Sequence, residues 1–228
     1  MPHRIRLLII IALSLAKLSG SAVPQGLAYG LRAGPSFSRF VGDPGWSFRA
    51  GYLAGVLGRL QVHGALAIQP ELLVHRRGAN SQQFGGSKVI LTYLEVPSLA
   101  RLRLYGGSDK AVEVAAYAGP TTSVQLSCQY AQEDPDPYSP EPPGILVPCA
   151  SRESLVSIGI GFTSTRNVMI DALGGIELVI PLSRTTSLLL DSRYQRSLPT
   201  IDRLGLPDAW TETLVFSFAI IRSGKALQ

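Results

Sequence analysis

The amino-acid sequence predicts an all-β fold: a closed eight-stranded antiparallel up-and-down barrel that crosses a membrane and fills its lumen with side chains. Three observations carry that expectation. Side chains alternate between apolar and polar with period two through eight stretches, the signature of strands. Within those stretches the charges fall on one face and the apolar residues on the other. Hydrophobic residues make up 46% of the 228 and mean hydropathy is positive, yet beyond the N-terminus no run reaches transmembrane-helix length without a charge; the best, 168–181, is interrupted by Asp171 and Glu177. Alternating strands in a bilayer reconcile the oily composition with the missing helical spans.

The first residues stand apart from this pattern. His3, Arg4 and Arg6 form a basic start, residues 7–16 an unbroken apolar run, and Gly20, Ser21 and Ala22 a small-residue site. That is the layout of a secretory signal peptide, here 1–22. The run is far shorter than the roughly 20 apolar residues of a spanning anchor, and no cysteine near the cleavage site offers a lipoprotein anchor. Residues 23–228, or 228 less 22 = 206 residues, suit a single barrel domain. Losing the signal removes three of the 21 basic residues and none of the 16 acidic ones, so the net charge of +5 falls to +2. So small an excess supports no nucleic-acid partner.

The strands follow in order. The first, 27–38, sets Leu27, Tyr29, Leu31 and Phe37 against Gly30, Arg32, Gly34 and Ser36. After an Asp43-Pro44-Gly45 turn the second begins at Trp46, with Phe48, Tyr52 and Val56 opposed to Arg49, Gly51, Gly55 and Arg59. A tight hairpin at 62–64 leads to the third, 65–77, with Leu66, Ile68, Leu72 and Val74 opposed to Gln69, Glu71 and His75. A polar loop over 77–88 precedes the fourth, 89–104, which opposes Ile90, Leu94, Val96 and Leu102 to Tyr93, Glu95, Arg101 and Arg103. A turn at 106–109 opens the fifth, 111–127, with Val114, Val124 and Leu126 against Glu113, Tyr117 and Ser123.

Residues 128–166 break the pattern, carrying prolines and acids unsuited to any ladder, and read as a long extracellular loop. Within them 154–162 alternates briefly through Val156, Ile158, Ile160 and Phe162; a hairpin arm above the membrane preserves the even strand count of a bacterial barrel. The sixth strand, 167–180, opposes Ile170, Ile176 and Leu178 to Asp171 and Glu177. A turn at 181–184, a seventh strand over 185–195 with Asp191 and Arg193 on its polar face, a loop over 196–209 and an eighth strand over 210–221 complete the chain. Long connections after the third, fifth and seventh strands alternate with short ones after the second, fourth and sixth, the asymmetry of barrels whose long loops face outward and short turns face the periplasm.

Strict alternation assigns Arg32, Arg49, Arg59, Arg101, Arg103 and Arg193 to the lumen with Glu71, Glu95, Glu113, Asp171, Glu177 and Asp191. Eight strands enclose only enough room for side chains, and a lone buried ion is costly, so these groups should pair into a plug that does not conduct. Pro70, Pro97 and Pro120 each delete a ladder donor, which predicts bulges or lumen water there. Trp46 and Trp210 suit the aromatic girdle at the outer rim, with core packing as the alternative.

Cys128 and Cys149, the only cysteines, are expected to form a disulfide worth about 3 kcal/mol in an exported chain, with two free thiols as the alternative. His63 and His75 are expected at opposite ends of the third strand, about 40 Å apart, too far to share a metal. No nucleophile-elbow, zincin or phosphate-loop motif occurs, and Gly159-Ile160-Gly161 is a packing pattern on a short alternating run. No catalysis, cofactor or metal is expected.

The run Ile68-Gln69-Pro70-Glu71-Leu72-Leu73, then Arg77-Gly78, Tyr93-Leu94-Glu95-Val96-Pro97, Ala118-Gly119-Pro120 and Ser192-Arg193-Tyr194, resembles the PorT-type outer-membrane β-barrel family over nearly the whole mature chain. The resemblance implies a signal peptide, an eight-stranded barrel and, from the founding member, a link to a secretion machinery of Bacteroidetes-like bacteria. The cysteine-bearing loop and the absence of a terminal aromatic residue, the chain ending Lys225-Ala226-Leu227-Gln228, depart from that pattern. The expected function is therefore that of a non-enzymatic outer-membrane scaffold or surface-interaction protein. It would sit in outer-membrane lipid with protein partners at its loops or periplasmic rim. A small outer-membrane enzyme acting on lipid or peptide, or a soluble exported barrel holding an apolar ligand, are the alternatives.

Overall fold

Among the described residues, period-two alternation becomes eight long strands, joined by one short one: β1 (Leu27–Val41), β2 (Trp46–His63), β3 (Leu66–Ser81), β4 (Lys88–Tyr105), β5 (Glu113–Ala131), the two-residue β6 (Val147–Pro148), β7 (Val168–Pro181), β8 (Thr186–Ser197) and β9 (Trp210–Ser223). The structure, a computed structural model, describes residues 26–42, 45–81, 86, 88–106, 112–131, 144–149, 168–198 and 210–224. The expected signal peptide (1–22) and the alternating stretch 154–162 lie outside the described residues.

Each long strand pairs antiparallel with the next, β5 pairing directly with β7, and β9 pairs with β1. The sheet therefore closes on itself as an eight-stranded barrel and leaves no long edge unpaired. A two-residue turn at Gly64 and Ala65 joins β2 to β3, Gly64 taking φ 48°, a left-handed value that a side chain disfavours. β6 is an appendage, pairing only with Gln129 and Tyr130 at the long-connection end of β5.

Sidedness is plain in the burial pattern. Leu31 is 69% exposed while its neighbour Arg32 is 2% exposed, and the same inversion repeats on every wall: Ile68, Val96, Ile176 and Phe218 face out while Glu71, Glu95, Glu177 and Arg193 face in. A water-soluble barrel would reverse this arrangement. So continuous an apolar exterior is a surface for acyl chains.

Several strands run further than the alternation alone suggested. β3 continues past residue 77 to Ser81, so Arg77 lies in the wall and points inward instead of opening a loop. β5 continues to Ala131, which puts Cys128 in a strand where the long loop had been expected to start. His63 ends β2 and pairs with Leu66, rather than lying on β3.

The prolines do not produce bulges. Register is unchanged across the gaps between Pro70↔Ser98 and Leu73↔Glu95, and between Pro97↔Thr121 and Ala100↔Ala118. The missing pairs there include Pro97 and Pro120, so the ring nitrogens interrupt the ladder for two steps without displacing it.

The principal irregularity is elsewhere. Between Phe48↔Ala79 and Tyr52↔Arg76, β2 carries one residue more than β3, a β-bulge. Two serines of β1 reach beneath it: Ser38 Oγ donates to Gly78 O at 2.8 Å and accepts from Gly78 N–H at 2.8 Å, and Ser36 Oγ donates to Arg76 O at 3.4 Å. Side chains thus replace ladder bonds that the bulge removes, in a wall where water is scarce. Even-numbered side chains of β2 stay outward on both sides of the bulge, from Phe48 through Tyr52 to Val56, whereas Trp46, expected at the lipid border, is buried and meets Phe40 edge-on at 5.1 Å.

Candidate functional site in the barrel lumen

Among the described residues, inward alternation on eight strands delivers five buried arginines (Arg32, Arg59, Arg77, Arg101, Arg193) and five buried carboxylates (Glu71, Glu95, Asp171, Glu177, Asp191) to one narrow space. With equal numbers of each sign and water displaced, every charge must find an opposite one. They do so in two groups.

The group nearer the short turns centres on Glu177 of β7. Its Oε1 accepts from Arg59 Nη2 at 2.6 Å and Arg101 Nε at 3.0 Å, and its Oε2 from Arg32 Nη2 at 3.4 Å. These cations come from β1, β2 and β4, so a single carboxylate ties non-adjacent walls together across the lumen. Arg32 Nη1 also reaches Asp191 at 3.0 Å, and Arg193 donates to both Asp191, at 3.0 Å, and Glu71, at 2.9 Å. Gln69 links the chain of contacts, accepting from Arg59 at 2.9 and 3.0 Å and donating to Glu71 at 2.8 Å. Tyr117 donates to Asp191, and the room it needs exists because Gly175 lacks a side chain: a Cβ there would lie 2.5 Å from the phenol oxygen.

The second group lies toward the long connections. Arg77 donates through Nη1 and Nη2 to Asp171, each at 3.0 Å, and its Nη2 lies 2.6 Å from Glu95. Gln195 donates to Asp171 at 2.6 Å, His75 Nδ1 lies 3.1 Å from Glu95, and the Arg77 guanidinium stacks 4.6 Å from the Tyr93 ring centroid.

Apolar clusters bracket the ions. At the short-turn end Ala28, Leu57, Val179, Leu189, Ala219 and Ile221 pack together. At the other end a cluster including Phe40, Trp46, Leu91, Tyr93, Tyr130 and Met169 packs against Cys128 and Cys149. Those two cysteines form a disulfide with Cα atoms 5.3 Å apart, fastening the segment after β6 to the wall at β5.

Of the twelve charged residues that alternation placed in the lumen, Arg32, Arg59, Arg101, Arg193, Glu71, Glu95, Asp171, Glu177 and Asp191 come together as described. Glu113 and Arg103 meet at the short-turn rim, 3.9 Å apart and half-open, with Glu113 also binding Arg101. Arg49 does not join: it sits half-buried in the β2 bulge beside Arg76, and its Nη1 has no partner among the described residues. Alternation missed Arg77; extending the inward series Gln69, Glu71, Leu73, His75 by one more step would have found it. Among the described residues no cluster of metal-ligating side chains occurs.

A family model described as an outer membrane protein beta-barrel domain matches residues 19–199. Among solved structures, the outer membrane protein OprG from Pseudomonas aeruginosa is 11% identical, the match covering 87% of this chain and 96% of that one at a TM-score of 0.51. Ail, the attachment invasion locus protein of Yersinia pestis, is 12% identical over 86% of this chain and 99% of its own, at 0.43. Neisserial surface protein A is 10% identical over 87% and 99%, at 0.47. At 11% identity the likeness to OprG is one of fold. None of the curated protein sequences compared with the chain matches it.

Proposed function

The chain belongs to the outer membrane protein β-barrel domain family and resides in the bacterial outer membrane, and from that premise we propose that it is a non-conducting, non-enzymatic scaffold or surface-interaction barrel. The observation that carries this reading is the filled lumen: buried ions matched five to five, with apolar clusters at both ends. Ions paired with one another in this way are poor candidates for passing solute or for acid–base work. His75, the inward-facing histidine, is 0% exposed and held by Glu95. Fold alone does not select an activity, so the work falls to the rims and the connections between strands.

The motifs shared with PorT-type barrels support a finer assignment, in which the partner is a component of a secretion apparatus. Cross-linking in native outer membrane followed by gentle solubilisation tests this. A protein partner recovered in fixed stoichiometry is the expected result; recovery of the barrel alone, in lipid and detergent, contradicts it.

A further inference from the structure

Among the described residues, charge interrupts the apolar outward face on one side of the barrel. On β1, β9, β8 and β3 the outward apolar or aromatic residues below it are Phe37, Leu214, Tyr194 and Val74, and on the first three Val41, Trp210 and Leu198 follow beyond it. The charged positions, two residues from the first set toward the long connections, are Arg39, Glu212, Arg196 and Arg76. From Tyr29 to Phe37 the β1 exterior runs nine residues, which in a tilted strand spans roughly the 25 Å apolar band of such barrels. The four charged residues therefore share one depth, at the outer boundary of the acyl region. At the corresponding height β4, β5 and β7 offer Thr92, Leu126 and Ile170, so the charge is confined to one side.

The register makes this a row. Glu212 pairs directly with Arg39 on one neighbouring strand and with Arg196 on the other. Arg39 Nη2 donates to Glu212 at 3.0 Å, and among the described residues it is the only one of the three outward arginines that is ion-paired. Its guanidinium lies 4.8 Å from the Phe48 ring centroid and that of Arg196 4.5 Å from the Trp210 ring centroid. Stacking fixes the plane of a guanidinium while leaving its edge free to donate. Three arginines against one carboxylate leave a positive excess.

Side chains at this level meet lipid headgroups, and the exterior directly beneath them is apolar. We propose that the face carrying Arg39, Arg76 and Arg196 binds the phosphate groups of a phosphorylated glycolipid of the outer leaflet, whose acyl chains lie along β1, β9 and β8. Charge-assisted and forked donation from arginine suits phosphate oxygens, and the one-sidedness of the patch calls for a discrete bound lipid in place of a uniform annulus.

Native mass spectrometry of the folded full chain, titrated with bis-phosphorylated lipid A, tests the site. Lipid A should remain bound, and the same lipid with its phosphates removed should bind at least about tenfold more weakly, as loss of charge-assisted hydrogen bonds requires. The triple variant R39Q/R76Q/R196Q, checked for folding by heat-modifiable gel mobility, should show the same loss with intact lipid A. Equal binding of the dephosphorylated lipid overturns the proposal, as does an unweakened triple variant. Displacement by phosphatidylglycerol or by glucosamine phosphate at lipid A concentrations would overturn the assignment to a glycolipid. Should the triple variant fail to fold, the comparison of the two lipids on the unaltered chain decides.

Discussion

Glu177 holds three arginines, Arg32, Arg59 and Arg101, with its own side chain completely buried, whereas Glu113 meets Arg101 and Arg103 at a rim that water reaches. Neutralising the first leaves buried cations short of an anion, which costs about 3–5 kcal/mol; neutralising the second costs about 1 kcal/mol or less. Glu177→Gln should therefore lower the urea midpoint of the detergent-folded barrel far more than Glu113→Gln, followed by tryptophan fluorescence. Similar midpoints for the two variants would contradict the assigned network. Most of this network was legible residue by residue, because period two alone separates Glu71 and Glu177 from their apolar neighbours. Arg77 was not, since the Gly78-Ala79-Asn80-Ser81 run behind it has turn composition, and only pairing with β4 reveals that it continues the strand.

At the level of elements, the bulge in β2 and the two serines beneath it form one unit. Ser38 serves both the N–H and the carbonyl of Gly78, so Ser38→Ala strands two main-chain groups in a wall without water and should cost about 1–3 kcal/mol. Ser36→Ala, which loses one contact at 3.4 Å, should cost less. Faster amide exchange at Gly78 in the first variant than in the parent is the expected signature, and unchanged exchange would count against the bridging role. Nothing local in the sequence marks this bulge: Arg49, Ala50 and Gly51 alternate acceptably, and the extra residue appears only when β2 is laid against β3. The prolines drew attention instead, yet their ladder gaps keep register, because losing a donor does not add a residue. Trp46 was misplaced for a different reason: it shares the parity of the outward Phe48 but packs against Phe40 in the apolar cluster at this end of the barrel. Cys128 looked like loop because the strand signal fades at Ser127, although Gln129 and Tyr130 still pair with Ile90 and Val89.

For the whole molecule, closure follows from eight alternating strands, and the direction each face takes follows from the narrow bore: charged groups fit inside only as mutual partners, which leaves the apolar face for lipid. Two ionic groups and an apolar cluster at each end then leave the lumen filled. The most direct test is electrical. Purified folded barrel inserted into planar bilayers should show no defined conductance steps at neutral pH, at protein levels where an open porin gives many. Reproducible steps of one size, present with the heat-modifiable form and absent after it is boiled, would contradict the filled lumen and with it the reading of this protein as a scaffold.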